Sequence, residues 1–157
     1  MPLARILIDG YSLLHNCPGI AAGQPPHSEA ARTELVRWLV RYHDATGIPI
    51  SVFFDGTGRV NNAPEHSTAS VEVMFSRAGK TADELIERAT HRLLQYGEVL
   101  VVTDDRAEQQ TVIALGGMAI SCQNFIRMVE EAIAQLQNNI KRINKGELAK
   151  FKRPKAK

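Results

Sequence analysis

Aspartates follow four apolar runs of the sequence, at residues 6–8, 51–54, 71–75 and 99–103. Unbroken runs of branched apolar residues are typical of parallel strands buried on both faces. Carboxyl ends of parallel strands meet at one edge of a sheet, where ligands bind in open α/β folds. We therefore expect one group of carboxylates at this edge: Asp9, Asp55, Asp83, Asp104 and Asp105.

Such a group of carboxylates predicts a bound divalent cation. Three carboxylates about 5 Å apart repel one another by roughly 3 kcal/mol per pair at an effective dielectric near 20. A cation offsets that repulsion. No histidine or cysteine keeps metal-ligand spacing with these aspartates, and all-oxygen ligands suit Mg²⁺ or Mn²⁺. These ions hold phosphate oxygens and activate water, so the predicted chemistry is hydrolysis of a phosphate ester.

Each aspartate alone also has a structural interpretation, as a helix cap, a partner of a helix dipole or a turn residue. Other chemistries find less support in the sequence. There is no Gly-x-Ser-x-Gly elbow of a serine hydrolase. The run Gly79-Lys80-Thr81 lacks the glycine that a phosphate-binding loop needs five positions earlier, where Met74 stands. A haloacid-type phosphatase needs an aspartate in place of Tyr11, and a receiver domain needs paired acids after the first strand rather than the fourth.

The elements between these strands predict a single α/β domain. A loop over 11–27 precedes a helix that begins after Ser28 and ends at Gly47. A polar loop over 56–68 is expected to be mobile and to guide substrate. Thr81 caps a helix that starts at Ala82, and further helices are predicted over 108–115 and 124–144, around a short strand at 118–120. The predicted fold is Rossmann-like, with a mainly parallel five-stranded sheet and helices on both faces.

Charge divides the 157 residues into a domain over 1–145 and a flexible basic tail over 146–157. Residues 141–157 carry eight Lys/Arg and one Glu, a net charge of +7. The other 140 residues carry eleven basic and sixteen acidic side chains, a net charge of −5. An acidic body with a basic end favours a polyanionic partner, although a solvated tail that aids solubility is the open alternative.

Apolar and cysteine patterns bear on location. The longest aliphatic run, at 99–102, is far too short to span a bilayer, so no membrane association is predicted. No signal peptide is predicted before the first strand. Cys17 and Cys122 form no zinc pattern and read as reduced thiols. The predicted location is the cytoplasm, or an organelle whose targeting peptide is absent here.

Four segments resemble the YacP-type NYN domain, a branch of the PIN-like nucleases: ILIDGYSLLH, VFFDG, GKTADELIE and VVTDDRAEQQ. The resemblance covers residues 4–130, in the family's order. It implies a parallel sheet sandwiched by helices and a metal-dependent endoribonuclease that uses Mg²⁺ or Mn²⁺. Asp9, Asp83 and Asp105 match the family's catalytic acids. Asp104 stands where the family usually has serine, and Ser12 replaces the asparagine of its DGYN motif.

The resemblance leads to a specific expected site. Asp9, Asp83 and Asp105 are the expected metal ligands and catalytic acids, Asp104 is a fourth, and Asp55 ranks second as a metal ligand. Ser12 and Glu108 are expected to orient ligands or water. The expected phosphate contacts are basic side chains near the strand ends and in the tail: Arg59, Arg77, Lys80, Arg106, Lys150, Lys152 and Arg153.

The expected partner is RNA, in a messenger or ribosomal context. Two alternatives stay open: a non-catalytic RNA- or ribosome-binding module, for which Ser12 is the main support, and a DNA- or structure-specific nuclease. The oligomeric state, a monomer or a weak dimer, is also open.

Overall fold

The computed structural model describes residues 3–56 and 67–152, with side chains through residue 148. Among these residues, five strands form one sheet in the order β3-β2-β1-β4-β5, and every neighbouring pair is parallel. Strand β1 lies at the centre, and β3 lies at an edge, as its alternating pattern predicted. The strands are β1 (Leu3–Asp9), β2 (Ile50–Phe54), β3 (Val71–Phe75), β4 (Glu98–Val102) and β5 (Met118–Ile120).

Helices cover both faces of this sheet, which confirms the predicted α/β class. They are α1 (Gly10–Asn16), α2 (Glu29–Thr46), α3 (Ala82–Leu93), α4 (Arg106–Leu115) and α5 (Cys122–Lys152), with a short 3₁₀ turn at Pro18–Ala21. The central strand alternates between the two faces. Ile6 and Ile8 pack with Leu35 of α2 and Phe125 of α5. Leu7 packs on the opposite face, against α3 and α4.

Side-chain caps begin the helices where the sequence predicted. Ser28 Oγ accepts the Ala31 N–H at 3.1 Å, and α2 ends at Gly47 with a φ of 72°, a left-handed conformation that favours glycine. Thr81 Oγ1 accepts the Glu84 N–H at 3.2 Å and starts α3. Side-chain caps therefore fix the first turns of these helices. For α3, the first turn carries Asp83.

Two predicted boundaries were wrong. The predicted loop over 11–27 contains α1, because Asp9 caps that helix, Leu13 and Leu14 are buried, and the first proline comes only at Pro18. Helix α5 runs from Cys122 to Lys152, well beyond the predicted end at 144. No proline interrupts it before Pro154, and a single glycine, Gly146, is tolerated inside a long helix.

Residues 57–66 of the predicted mobile loop lie outside the described part of the chain. No helix in the described ranges is long and apolar enough to cross a membrane.

Candidate active site

The parallel topology brings the predicted acids to one edge of the sheet. Asp9 is the last residue of β1, and Asp55 directly follows the neighbouring strand β2. Asp83 lies in the first turn of α3, and Asp105 is the N-cap of α4, which follows β4 on the other side of β1. The strand order therefore explains why residues far apart in sequence meet.

Asp9, Asp83 and Glu108 form the carboxylate cluster. Each offers one carboxylate oxygen, and these oxygens all lie within 4.8 Å of one another. Asp83 is exposed, Asp9 is half-buried, and Glu108 is buried with 7% of its surface exposed. The cluster thus opens to solvent on the Asp83 side and is closed at its base by Glu108.

The backbone of α1 holds Asp9. Its Oδ1 accepts the Ser12 N–H at 3.3 Å, the bond that caps the helix. Burial, together with the negative charges of Asp83 and Asp55, raises the pKa of Asp9 from 3.8 to about 6, although the Ser12 hydrogen bond opposes that rise. Asp9 is therefore placed where a positive charge would be favourable.

The two carboxyl oxygens of Glu108 differ in their hydrogen bonding. Thr103 Oγ1 donates to Glu108 Oε2 at 2.9 Å, and Thr103 is itself fully buried. Glu108 Oε1 is buried and has no hydrogen-bond partner among the described residues. Burial, and next the charge of Asp9, raises the pKa of Glu108 from 4.5 to about 9. Both effects favour the protonated, neutral form of this carboxyl.

Asp105 caps α4 and thereby helps to place Glu108. Its Oδ1 accepts the N–H groups of Ala107 at 2.9 Å and Glu108 at 3.3 Å, and its own N–H donates to Thr103 Oγ1 at 3.2 Å. Asp105 lines the same depression of about 210 Å³ as Asp83 and Glu108. The sequence prediction paired Asp105 with Asp9 and Asp83 and gave Glu108 an orienting role. In the structure Glu108 is the third member of the cluster, and Asp105 lies beside it.

Asp104 and Ser12 tie the end of β4 to two helices. Asp104 Oδ1 accepts the Cys122 N–H at 2.8 Å at the start of α5. Ser12 Oγ accepts the Asp104 N–H at 3.1 Å and lies 3.7 Å from Cys122 Sγ. Neither side chain belongs to the carboxylate cluster. Ser12 supports Asp9 through its backbone N–H, which any residue at this position except proline would supply.

Asp55 links β2 to α3 and borders a basic groove. Its Oδ1 accepts the Ala82 N–H at 2.6 Å, directly before Asp83. It lines a groove of about 360 Å³ with Arg77 and Lys80, both exposed. Arg106 is also exposed, at the start of α4. The other predicted phosphate contacts fall outside the described side chains: Arg59, Lys150, Lys152 and Arg153.

The carboxylate cluster fits a divalent cation. Octahedral Mg²⁺ at about 2.1 Å from its ligands places neighbouring oxygens about 3 Å apart and opposite ones about 4.2 Å apart. Oxygens within 4.8 Å of one another would have to approach by at most about 1.8 Å to reach that spacing. Glu108 Oε1 accepts no hydrogen bond from the described residues, so it is open to a cation once the carboxyl has lost its proton. The donor set is all oxygen, which suits Mg²⁺ or Mn²⁺.

Sequence reasoning missed Thr103 and undervalued Glu108. A signal for Glu108 was present, because Asp105 and Glu108 have the spacing of a capping box, in which the acid of the third helical position points back toward the strand end. The same pattern implied that an oxygen of Asp105 would accept hydrogen bonds from the first backbone N–H groups of α4. Thr103 gave no comparable signal, since a hydroxyl at a strand end has many ordinary uses.

Comparison with known proteins identifies relatives of this chain. The sequence model of the YacP-like NYN domain matches residues 6–155. The "Uncharacterized protein YacP" of Bacillus subtilis (strain 168) is 27% identical over 139 residues, which cover 88% of this chain and 82% of that protein. The crystal structure of Rae1 (YacP) from Bacillus subtilis has a TM-score of 0.72 at 25% identity, covering 95% of this chain and 85% of the other. The crystal structure of a Trp-to-Leu mutant of Rae1 also has a TM-score of 0.72, at 26% identity. The match covers 90% of this chain and 84% of the mutant's chain.

Proposed function

The chain belongs to the YacP-like NYN domain family, which has a nuclease-like, PIN-like fold, and on that premise we propose that it is a metal-dependent endoribonuclease. The observation that carries the proposal is the convergence of Asp9, Asp83 and Glu108 from three separate elements. The needs of packing do not explain this convergence. Bringing the acids together raises the pKa of Asp9 and of Glu108, and it leaves Glu108 Oε1 buried without a hydrogen-bond partner among the described residues.

Asp9, Asp83 and Glu108 would hold Mg²⁺ or Mn²⁺. When bound, such an ion supplies positive charge for the phosphate oxygens and makes a nearby water a better nucleophile. The chain's own residues fix the ligands: Thr103 and Asp105 orient Glu108, and the Ser12 N–H orients Asp9. Exposed Asp83 lies on the side from which substrate would approach.

Basic residues around this edge favour a polyanionic substrate. Arg77 and Lys80 border the groove beside Asp55, and Arg106 lies at the start of α4. The +7 segment at 141–157 adds a second region that can neutralise phosphates, with release of counterions. RNA as the substrate, in a messenger or ribosomal context, rests on the family motifs, since these side chains would contact the phosphates of either nucleic acid.

A non-catalytic RNA-binding module is the second candidate, and Ser12 was its main support. The geometry weakens that support. The serine hydroxyl faces Asp104 and Cys122, whereas the bond to Asp9 comes from the backbone. The carboxylate cluster of Asp9, Asp83 and Glu108 favours catalysis over binding alone.

Labelled RNA and DNA of one sequence, incubated with the purified protein and Mn²⁺, Mg²⁺ or EDTA, test the proposal. We expect internal cleavage of RNA with either metal and none with EDTA. Asp9→Asn should abolish it, whereas Asp44→Asn, at a side chain 65% exposed on α2, should not. RNA binding without cleavage would favour the non-catalytic module, equal cleavage of DNA would remove the RNA assignment, and cleavage in EDTA would contradict the metal site.

A further inference from the structure

Four rings form a row at the same edge of the sheet as the carboxylates. Phe54 and Phe75 end β2 and β3, Tyr11 lies two residues after Asp9 in α1, and His27 precedes α2. The ring centroids are 4.4 Å apart between His27 and Tyr11, 4.8 Å between Tyr11 and Phe54, and 5.5 Å between Phe54 and Phe75. The strand ends thus carry acids and aromatic rings side by side.

Exposure changes along this row. Phe54 is fully buried and belongs to the core, whereas Tyr11 and Phe75 are half-buried. His27 is exposed. Core packing accounts for Phe54. It does not account for an exposed imidazole against the Tyr11 ring, because the outer part of that pair removes little apolar surface from water.

A buried arginine holds the outer pair in place. Arg32 of α2 is 3% exposed, and its Nη1 donates to the Tyr11 hydroxyl at 3.1 Å and to the His27 carbonyl at 2.9 Å. Its guanidinium also lies 5.6 Å from the centroid of Phe75. One buried side chain therefore contacts both the hydroxyl of Tyr11 and the backbone of His27. Ordering of the Tyr11 ring and of the His27 backbone before a ligand arrives lowers the entropy cost of stacking a base there.

We propose that the exposed His27 ring, backed by Tyr11, forms a stacking platform for the base of a nucleotide next to the cleaved bond, and that Arg32 positions this platform. The inference rests on the proposed function. Two residues of chain place Tyr11 within ~7 Å of Asp9 along the backbone, so a base attached near a phosphate at the carboxylate cluster is within reach. Single-stranded RNA is commonly recognised by stacking of unpaired bases on aromatic side chains, and every base has a face that can stack.

Abasic RNA tests the platform directly. The probe is a single-stranded RNA whose cleaved bond has been mapped, made with its natural bases and with one abasic nucleotide at each position flanking that bond. Dissociation constants are measured by fluorescence anisotropy in EDTA, which prevents cleavage. For the wild-type protein, one abasic position should weaken binding by roughly 5- to 150-fold, the range that corresponds to one base–aromatic stack.

Variants then assign this loss to the platform. His27→Ala should weaken binding of the natural RNA by at least about fivefold and add no further loss on the abasic RNA. His91→Ala, at an exposed histidine of α3, should bind both RNAs as the wild type does. Arg32→Lys should bind the natural RNA more weakly than the wild type does and bind the abasic RNA almost equally well. A general loss of stability would weaken binding of both RNAs. If Arg32→Lys fails to fold, Tyr11→Phe, which keeps the ring and removes the acceptor, replaces it in the same test.

The outcomes separate this inference from the proposed function. Cleavage of RNA by a wild-type protein that binds natural and abasic RNA equally would overturn the platform and leave the nuclease standing. Equal losses in His27→Ala on both RNAs would likewise overturn it. A wild-type protein that neither binds nor cleaves RNA would overturn both.

Discussion

Replacement of Glu108 by glutamine should stabilise the metal-free protein at neutral pH. Burial raises the pKa of this carboxyl from 4.5 to about 9, so the folded state holds a proton that the unfolded chain releases. For a carboxyl with a raised pKa, stability is intact below pH 4.5 and falls as pH rises toward 9. Each pH unit in that window lowers the free energy of unfolding by up to about 1.4 kcal/mol. At pH 7 the loss is about 3 kcal/mol.

Glutamine has nearly the same shape and cannot ionise, so Glu108→Gln should escape this loss. A difference of about 3 kcal/mol corresponds to roughly 6–12 °C in melting temperature for a chain of this size. Thermal unfolding followed by circular dichroism in EDTA, from pH 6.5 to 8.5, measures it. This window lies above the pKa of Asp9, which is about 6. Glu130→Gln, at an exposed glutamate of α5, is the matched control and should follow the wild type.

With a divalent metal bound, the wild type should become more stable than Glu108→Gln. Mn²⁺ should raise the melting temperature of the wild type, increasingly with pH because protons compete for the same oxygens, and should leave Glu108→Gln almost unchanged. If the wild type and Glu108→Gln lose stability in parallel from pH 6.5 to 8.5 without metal, Glu108 is not held protonated and the reasoning about the cluster is refuted.

Three further predictions concern the parts that surround the carboxylate cluster. Gly10→Ala should lower stability by about 1–3 kcal/mol in denaturant unfolding, because a Cβ there would overlap the Phe54 ring; Gly19→Ala, whose Cβ meets no described atom within 4 Å, should be neutral. Asp105→Ala should lower the free energy of unfolding by about 1 kcal/mol and weaken Mn²⁺ binding, because Glu108 is then less well placed. Asp105→Asn keeps the helix cap and should bind Mn²⁺ nearly as the wild type does. If Asp105→Asn loses as much Mn²⁺ affinity as Asp83→Asn, Asp105 is itself a ligand. Deletion of residues 146–157 removes five basic side chains, so the log–log salt slope of RNA binding should shrink by roughly 2–4 units at ~0.7 per contact while cleavage at saturating RNA changes little; an unchanged slope would exclude this segment from RNA binding.

The sequence predicted the sheet well because its strands are short, unbroken apolar runs with acids at their ends. Strand β5 was predicted at its observed bounds, Met118–Ile120. The acids that meet at the edge followed from topology alone, since parallel strands leave their carboxyl ends together. The long extension of α5 was harder to predict, because no proline before Pro154 marks an end of the helix.

Assignment of the third carboxylate depended on local hydrogen bonds that a sequence does not display. Asp105 and Glu108 are both acids near the end of β4, and only the structure shows that the cap uses an oxygen of Asp105 while Glu108 Oε1 stays unpartnered among the described residues. The aromatic platform was missed for a related reason. Tyr11, His27 and Arg32 are separated by up to 21 residues, and helix α1, which places Tyr11, had been predicted to be a loop.

Calorimetric titration with Mn²⁺ at pH 7.5 tests the central claim most directly, because it asks whether these three carboxylates hold one cation. The wild type and Asp44→Asn should bind Mn²⁺ at a single site. Asp9→Asn, Asp83→Asn and Glu108→Gln should each bind it much more weakly, since each loses a charged oxygen ligand. Equal Mn²⁺ binding by the wild type and these three variants would contradict the account.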